Sequence, residues 1–167
     1  MAAAVADGDG CDAIRERLRA LVRRPRARLH WRDEEDADRL RISQTVGACD
    51  LTNVVVVGTP VDPKRQERAR RKCTERLFHE LHSIGVTRVF METRTQALNA
   101  RDVQMIEAMR GAQSIPRALR VEFARPLEEP MLWIPDAVAG AVAAGKKGTG
   151  SFIEPIRSLV DEHTIDL

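Results

Sequence analysis

Two carboxylates stand where a folded chain seldom leaves one without a partner. Asp136 lies in Pro130-Met131-Leu132-Trp133-Ile134-Pro135-Asp136-Ala137-Val138-Ala139-Gly140-Ala141-Val142, an apolar, small-residue helix pattern with a single acid in its first turns. Glu92 follows directly on the apolar run Val89-Phe90-Met91. A buried carboxylate has to be hydrogen-bonded, ion-paired or metal-bound, because its desolvation is otherwise too costly. Ala139, Gly140 and Ala143 leave room beside Asp136 for something to approach. Glu92 ends a strand, and in open α/β sheets sites gather beyond the carboxyl ends of strands. Together the two acids form half of a divalent-metal site. Hard cations such as magnesium take oxygen ligands, and two of them can stabilise the attacking and leaving oxygens of a phosphoryl displacement. Asp102, in Asn99-Ala100-Arg101-Asp102, could join from a first helical turn.

Each of these residues also has an ordinary reading. Pro135 suits the first turn of a helix and puts Asp136 near the positive end of the helix dipole. Glu92 can pair with Arg94 or Arg88, and Asp102 reads as a capping or surface acid. His30 stands beside Trp31 and the acids Asp33, Glu34, Glu35 and Asp36, where a strand-end histidine can be structural or functional. His79 and His82 have i, i+3 spacing but no third ligand in view, so they read as solvated side chains. Arg65, Arg68, Lys72 and Arg76 recur along one side of a helix, as a row of phosphate contacts would. Glu67 pairs with Arg71 at i+4 on that reading, and Asp62, Glu75 and Glu80 dilute the field, as on a solvated amphipathic face. Aromatics make up 4% of the chain and tyrosine is absent, which disfavours binding of single strands by base stacking. Gly145-Lys146-Lys147-Gly148 lacks the order of a phosphate loop.

The elements that must position these side chains alternate strand and helix. Ala2 to Ala6 reads as a short strand. A helix with the stripe Ile14, Leu18, Leu21 and Val22 follows, capped by Asp9 or Asp12 and ended by Pro25. Arg28 to Trp31 is extended, and Asp33 to Val46 is a helix with an acidic first turn. Leu51 to Val57 is an unbroken β-branched run, which predicts a strand buried on both faces. Pro63 opens a helix over Lys64 to Ser83 with the stripe Ala69, Cys73, Leu77, Leu81 and Ile84, and Gly85 ends it. Val86 to Met91 is a strand, Asn99 caps a helix over Ala100 to Arg110, and Leu119 to Phe123 alternates as an edge strand does. After a loop from Pro126 to Pro130 the Asp136 helix runs to about Gly145. Lys146 to Gly150 is a break, and Phe152 to Asp161 a short helix. The pattern is α/β in one layered domain over 1–150, with an acidic C-terminal tail over 151–167.

The bulk properties agree. A chain of 167 residues, 43% hydrophobic and 31% charged, is long enough for one cored domain. No run approaches the roughly 18 apolar residues of a membrane span, and no signal peptide is legible, so no membrane partner and a cytoplasmic location are expected. Cys11, Cys49 and Cys73 form no metal or disulfide spacing and read as buried thiols. The net charge is +2, with cations crowded in Arg15 to Arg28 and Lys64 to Arg76.

The segment Val89-Phe90-Met91-Glu92-Thr93-Arg94, the Asn-x-x-Asp of Asn99 to Asp102, and Pro130-Met131-Leu132-Trp133-Ile134-Pro135-Asp136-Ala137-Val138-Ala139-Gly140-Ala141 together resemble the bacterial domain-of-unknown-function family 3800. His30-Trp31-Arg32-Asp33-Glu34 is similar to a further segment of that family. The likeness runs in order over residues 2 to 145. It implies a ribonuclease H-like mixed sheet flanked by helices, and metal-dependent phosphodiester hydrolysis. Glu92 and Asp136 would then hold magnesium or manganese and Asp102 would assist. Arg94 would neutralise a phosphate oxygen, with His30 also on the substrate side. Members begin with a strand ending in Asp-Glu-Ser-Gly, whose Asp is the first metal ligand. No such segment occurs here, so the expected fold lacks its first central strand, either because the reading frame starts late or because the chain is a degenerate copy. A chain without that Asp lacks the first metal ligand of the family. The alternatives are a non-catalytic module of the same fold that binds nucleic acid or a protein partner, and a gene remnant with no function of its own.

Overall fold

A computed structural model of the chain describes residues 1–22 and 28–167. Pro25, expected to end the first helix, and Arg23, Arg24 and Arg26 of the first basic stretch lie outside the described residues. The architecture is mixed α/β. In chain order the elements are β1 (Ala2–Val5), α1 (Cys11–Arg19), α2 (Asp36–Gly47), β2 (Thr52–Thr59), α3 (Gln66–Ser83), β3 (Arg88–Glu92), α4 (Gln96–Gly111), β4 (Arg120–Ala124), α5 (Trp133–Lys146) and β5 (Val160–Asp166). Three strands form a sheet in the order β1-β2-β5, and β3 and β4 form a second, two-stranded sheet.

The chain divides into two compact units. One comprises Met1, Val56–Arg125 and Glu162–Leu167; the other comprises Ala2–Val55 and Pro126–Asp161. They are called the first and second unit below.

In the first unit, α3 buries Cys73, Thr74, Leu77, Phe78 and Leu81. Cys73, Leu77 and Leu81 are the centre of the expected stripe, Thr74 and Phe78 widen it, Ala69 is half-buried, and Ile84 falls just past the helix and is exposed. Gly85 takes a left-handed φ of 84°, so the chain can turn off the helix while the Val86 amide donates to the Leu81 carbonyl. β3 and β4 run parallel, Arg88 opposite Arg120 and Glu92 opposite Ala124, with α4 as the crossover that a parallel pair requires. α4 begins three residues before Asn99. Asn99 therefore does not cap it in the expected way; its Oδ1 reaches back 2.7 Å to accept from the Arg94 amide. Ile106 and Met109 of α4, with Ile115 and Leu119 beyond it, are buried.

In the second unit, β1 pairs antiparallel with the first half of β2, Ala2 opposite Val55 and Val5 opposite Thr52. Asn53, Val54 and Val55 are buried in succession. Successive strand residues face opposite ways, so both faces of β2 are covered, as its β-branched run predicts. α1 contributes Ile14 and Leu18, α2 Ile42 and Val46, and α5 Ile134, Ala137, Val138 and Ala141 to the core. α1 stops at Arg19, and Leu21 is buried from the turn that follows. His30 is extended as expected, and Trp31–Asp33 is one turn of 3-10 helix ahead of α2.

The short helix expected within Phe152 to Asp161 is the 3-10 helix Glu154–Leu159, preceded by a 3-10 turn over Gly150–Phe152, and Val160–Asp166 beyond it is a strand that was not expected. The alternation Val160, Glu162, Thr164 against Asp161, His163, Ile165 is short and polar, so it carries little strand signal. Cys49 and Cys73 are buried and Cys11 half-buried, all three free. Among the described residues no helix is long and apolar enough to cross a membrane.

Candidate functional site

Asp136 sits in the first turn of α5, in the second unit. Its Oδ2 is 2.7 Å from Nδ1 of His30 and accepts from the backbone amide of Trp31 at 2.9 Å. A carboxylate can only accept, so Nδ1 is the donor in this pair, and in the neutral ring Nε2 keeps the lone pair. The pair is half-exposed, with 38% of the His30 side chain and 40% of the Asp136 side chain open to solvent. A carboxylate fixing an imidazole in this way yields an oriented proton acceptor or a single metal-ligand nitrogen.

The room beside Asp136 is filled by the chain itself. A Cβ placed on Gly140 would lie inside the Trp31 indole. Trp31 is buried there with its ring edge-on to Phe152 at 5.5 Å between centroids. Arg39 covers the other side, its guanidinium 5.6 Å from the ring centroid and its Nε donating to the Trp31 carbonyl at 3.1 Å. Asp136 and Gly140 are one helical turn apart. One receives the backbone of the His30-Trp31 segment and the other receives the indole. The sequence marks the small residues, but it gives no sign that their occupant is Trp31, 105 positions from Asp136.

Glu92, Asp102 and Arg94 belong to the first unit. Asp102 is not a surface acid: its side chain is 3% exposed and lies between two guanidinium groups. Arg70 of α3 donates to it at 3.3 and 3.2 Å, and Arg94 at 3.2 and 3.3 Å. Arg94 also donates to Glu67 of α3 at 2.9 Å. Burial pulls the Arg94 guanidinium down, but its hydrogen bonds to Glu67 and Asp102 outweigh that and hold it above its ordinary value. Glu92 is the exposed last residue of β3. Of the expected site residues, the structure thus brings together Asp136 with His30, and Asp102 with Arg94. Glu92 and Asp136 lie in different units. Among the described residues no group of three or more His, Cys, Asp or Glu is gathered to hold a metal ion.

The basic helix differs from its expected form in a definite way. Of the row Arg65, Arg68, Lys72 and Arg76, three members have partners: Arg65 with Asp62, Lys72 with the Asp166 carbonyl, and Arg76 with Glu80 and His163. Glu67 does not pair with Arg71, because Arg94 takes it. Along α3 and the turn just before it, the exposed cations with no acid partner are Lys64, Arg68 and Arg71. Arg68 and Arg71 are neighbours one turn apart on α3, and Lys64 lies in the 3-10 turn Pro63–Arg65 just ahead of it.

No family model, curated protein or solved structure matches the chain.

Proposed function

We propose that the chain is a ribonuclease H-like α/β module that holds the phosphate backbone of nucleic acid through the cationic row of its first unit, without cleaving it. The observation that carries the reading is the row itself: Lys64, Arg68 and Arg71, exposed around the start of α3 with no carboxylate paired to them. Such a row contacts phosphates and releases their counterions. The exposed large aromatic among the described residues is Phe90, and the Arg88 guanidinium lies over its ring at 4.7 Å, so it is no open platform for a base. The partner is then a backbone read without regard to sequence, and duplex, with its denser phosphates, is the favoured form.

The fold proposal, a ribonuclease H-like sheet lacking its first central strand, is supported by the antiparallel β1/β2 pair and the parallel β3/β4 pair with its crossover helix.

The test is fluorescence anisotropy with labelled duplexes of unrelated sequence across a salt series. The expected result is equal affinity for each sequence and a log–log slope of about −2.7, from three contacts at 0.9 each. Absence of salt-dependent binding overturns the reading. Tight binding of an acidic polypeptide with none of duplex would assign the row to a protein partner.

A second reading, phosphodiester hydrolysis with magnesium or manganese, has one observation in its favour. Both hydrogen bonds of Asp136 fall on Oδ2, so Oδ1 of a half-exposed carboxylate is left for a cation. Glu92 enters this reading by resemblance alone, and Asp102 does not fit a cation, because both its oxygens are taken by guanidinium groups. The binding reading expects no cleavage of either strand form with either metal. Cleavage that Asp136→Asn abolishes, with circular dichroism unchanged, would establish hydrolysis instead.

A further inference from the structure

We infer that Arg94 is a positioning residue for the phosphate-binding row, keeping it uncompensated by drawing Glu67 away from Arg71; this rests on the binding reading above. Glu67 lies in the first turn of α3 among the three cations, with Lys64 three residues before it, Arg68 next to it and Arg71 four after. A glutamate four residues ahead of an arginine is the favoured orientation for a helical ion pair. Left to itself, Glu67 would neutralise Arg71 and place a negative charge in the row. The competitor is Arg94, from the segment between β3 and α4, whose Nη2 holds the Glu67 carboxylate at 2.9 Å. Arg94 is held in turn by Asp102, which is buried, and by its own amide bond to Asn99. Its side chain is 21% exposed, against 50% for Glu67, so the less mobile partner fixes the more mobile one. The network Arg70–Asp102–Arg94–Glu67 thus sets the charge of a surface that only its last member borders.

The experiment measures duplex affinity at roughly 0.1 M salt for the full chain and for Arg94→Gln, Glu67→Gln and the double variant, each with its thermal midpoint. Loss of one phosphate contact is worth about eightfold at that salt. Arg94→Gln is expected to bind about eightfold more weakly and with a slope shallower by about 0.9. Glu67→Gln binds no more weakly than the wild type. The double variant keeps the lowered midpoint of Arg94→Gln, since Asp102 has still lost a partner, yet recovers wild-type affinity. That recovery is what a purely structural role of Arg94 would not produce. Wild-type affinity in Arg94→Gln, or a weakened double variant, overturns the inference while the binding reading stands. A wild type that binds no duplex takes both down.

Discussion

Asp136 serves as a latch for a distant segment. One carboxylate oxygen takes the Trp31 amide and the His30 ring, and one turn later a missing side chain admits the indole. Gly140→Ala therefore meets a ring that is boxed in by Phe152 and Arg39 and has little room to retreat. Overpacking of this kind costs about 1–3 kcal/mol, more than the roughly 0.5–1 kcal/mol that alanine adds to helix stability over glycine. Urea unfolding should show a net loss for Gly140→Ala. Gly145→Ala on the same helix, whose new methyl would meet Ile153 at 3.4 Å, should show little loss or a gain. The conspicuous acid on an apolar helix is legible in the sequence, because an unpartnered carboxylate among alanines and valines must have an explanation. The explanation is not legible, because the groups that supply it stand 105 and 106 positions away.

At the scale of the elements, β3 and β4 show how register decides what a charge does. Arg88 lies opposite Arg120 and Phe90 opposite Glu122, so the like charges are direct neighbours and the opposite ones diagonal. Arg88 reaches across the diagonal, its Nε and Nη2 donating to the two oxygens of Glu122 at 2.9 and 2.8 Å. Those hydrogen bonds hold the Glu122 carboxyl below its ordinary value. A carboxyl lowered by folding stabilises the folded state above its unfolded value of 4.5, and that contribution disappears as pH falls through the folded value. Carboxyl NMR titration should find Glu122 below the ordinary glutamate range in the wild type and back within it in Arg88→Gln. The unfolding midpoints of the two proteins should differ most at neutral pH and converge in acid. The strands themselves are readable from their apolar runs. Their parallel pairing is not, since nothing in either run names its neighbour, and neither does the pattern of Val160 to Asp166, whose polar residues hide a strand.

Across the whole molecule, charge is divided in a way the net value of +2 conceals. The first unit holds fourteen lysines and arginines against ten acids, and the second thirteen against fifteen. The salt dependence of nucleic-acid binding should accordingly respond to Arg68→Gln, with a slope shallower by about 0.9, and stay unchanged in Arg157→Gln of the second unit. The sequence by itself determined α1 to α5 and most strands, the centre of the core stripe of α3, and the doubly buried run of β2. These follow from residues within a few positions of one another, where 3.6- and 2-residue periods and local breakers act directly. Only the tertiary structure decided which acid meets which base. It gave Glu67 to Arg94 instead of Arg71, buried Asp102 between two arginines, and placed Trp31 in the hollow at Gly140. Ion pairs act over a few ångströms in space, and separation along the chain carries no record of that distance.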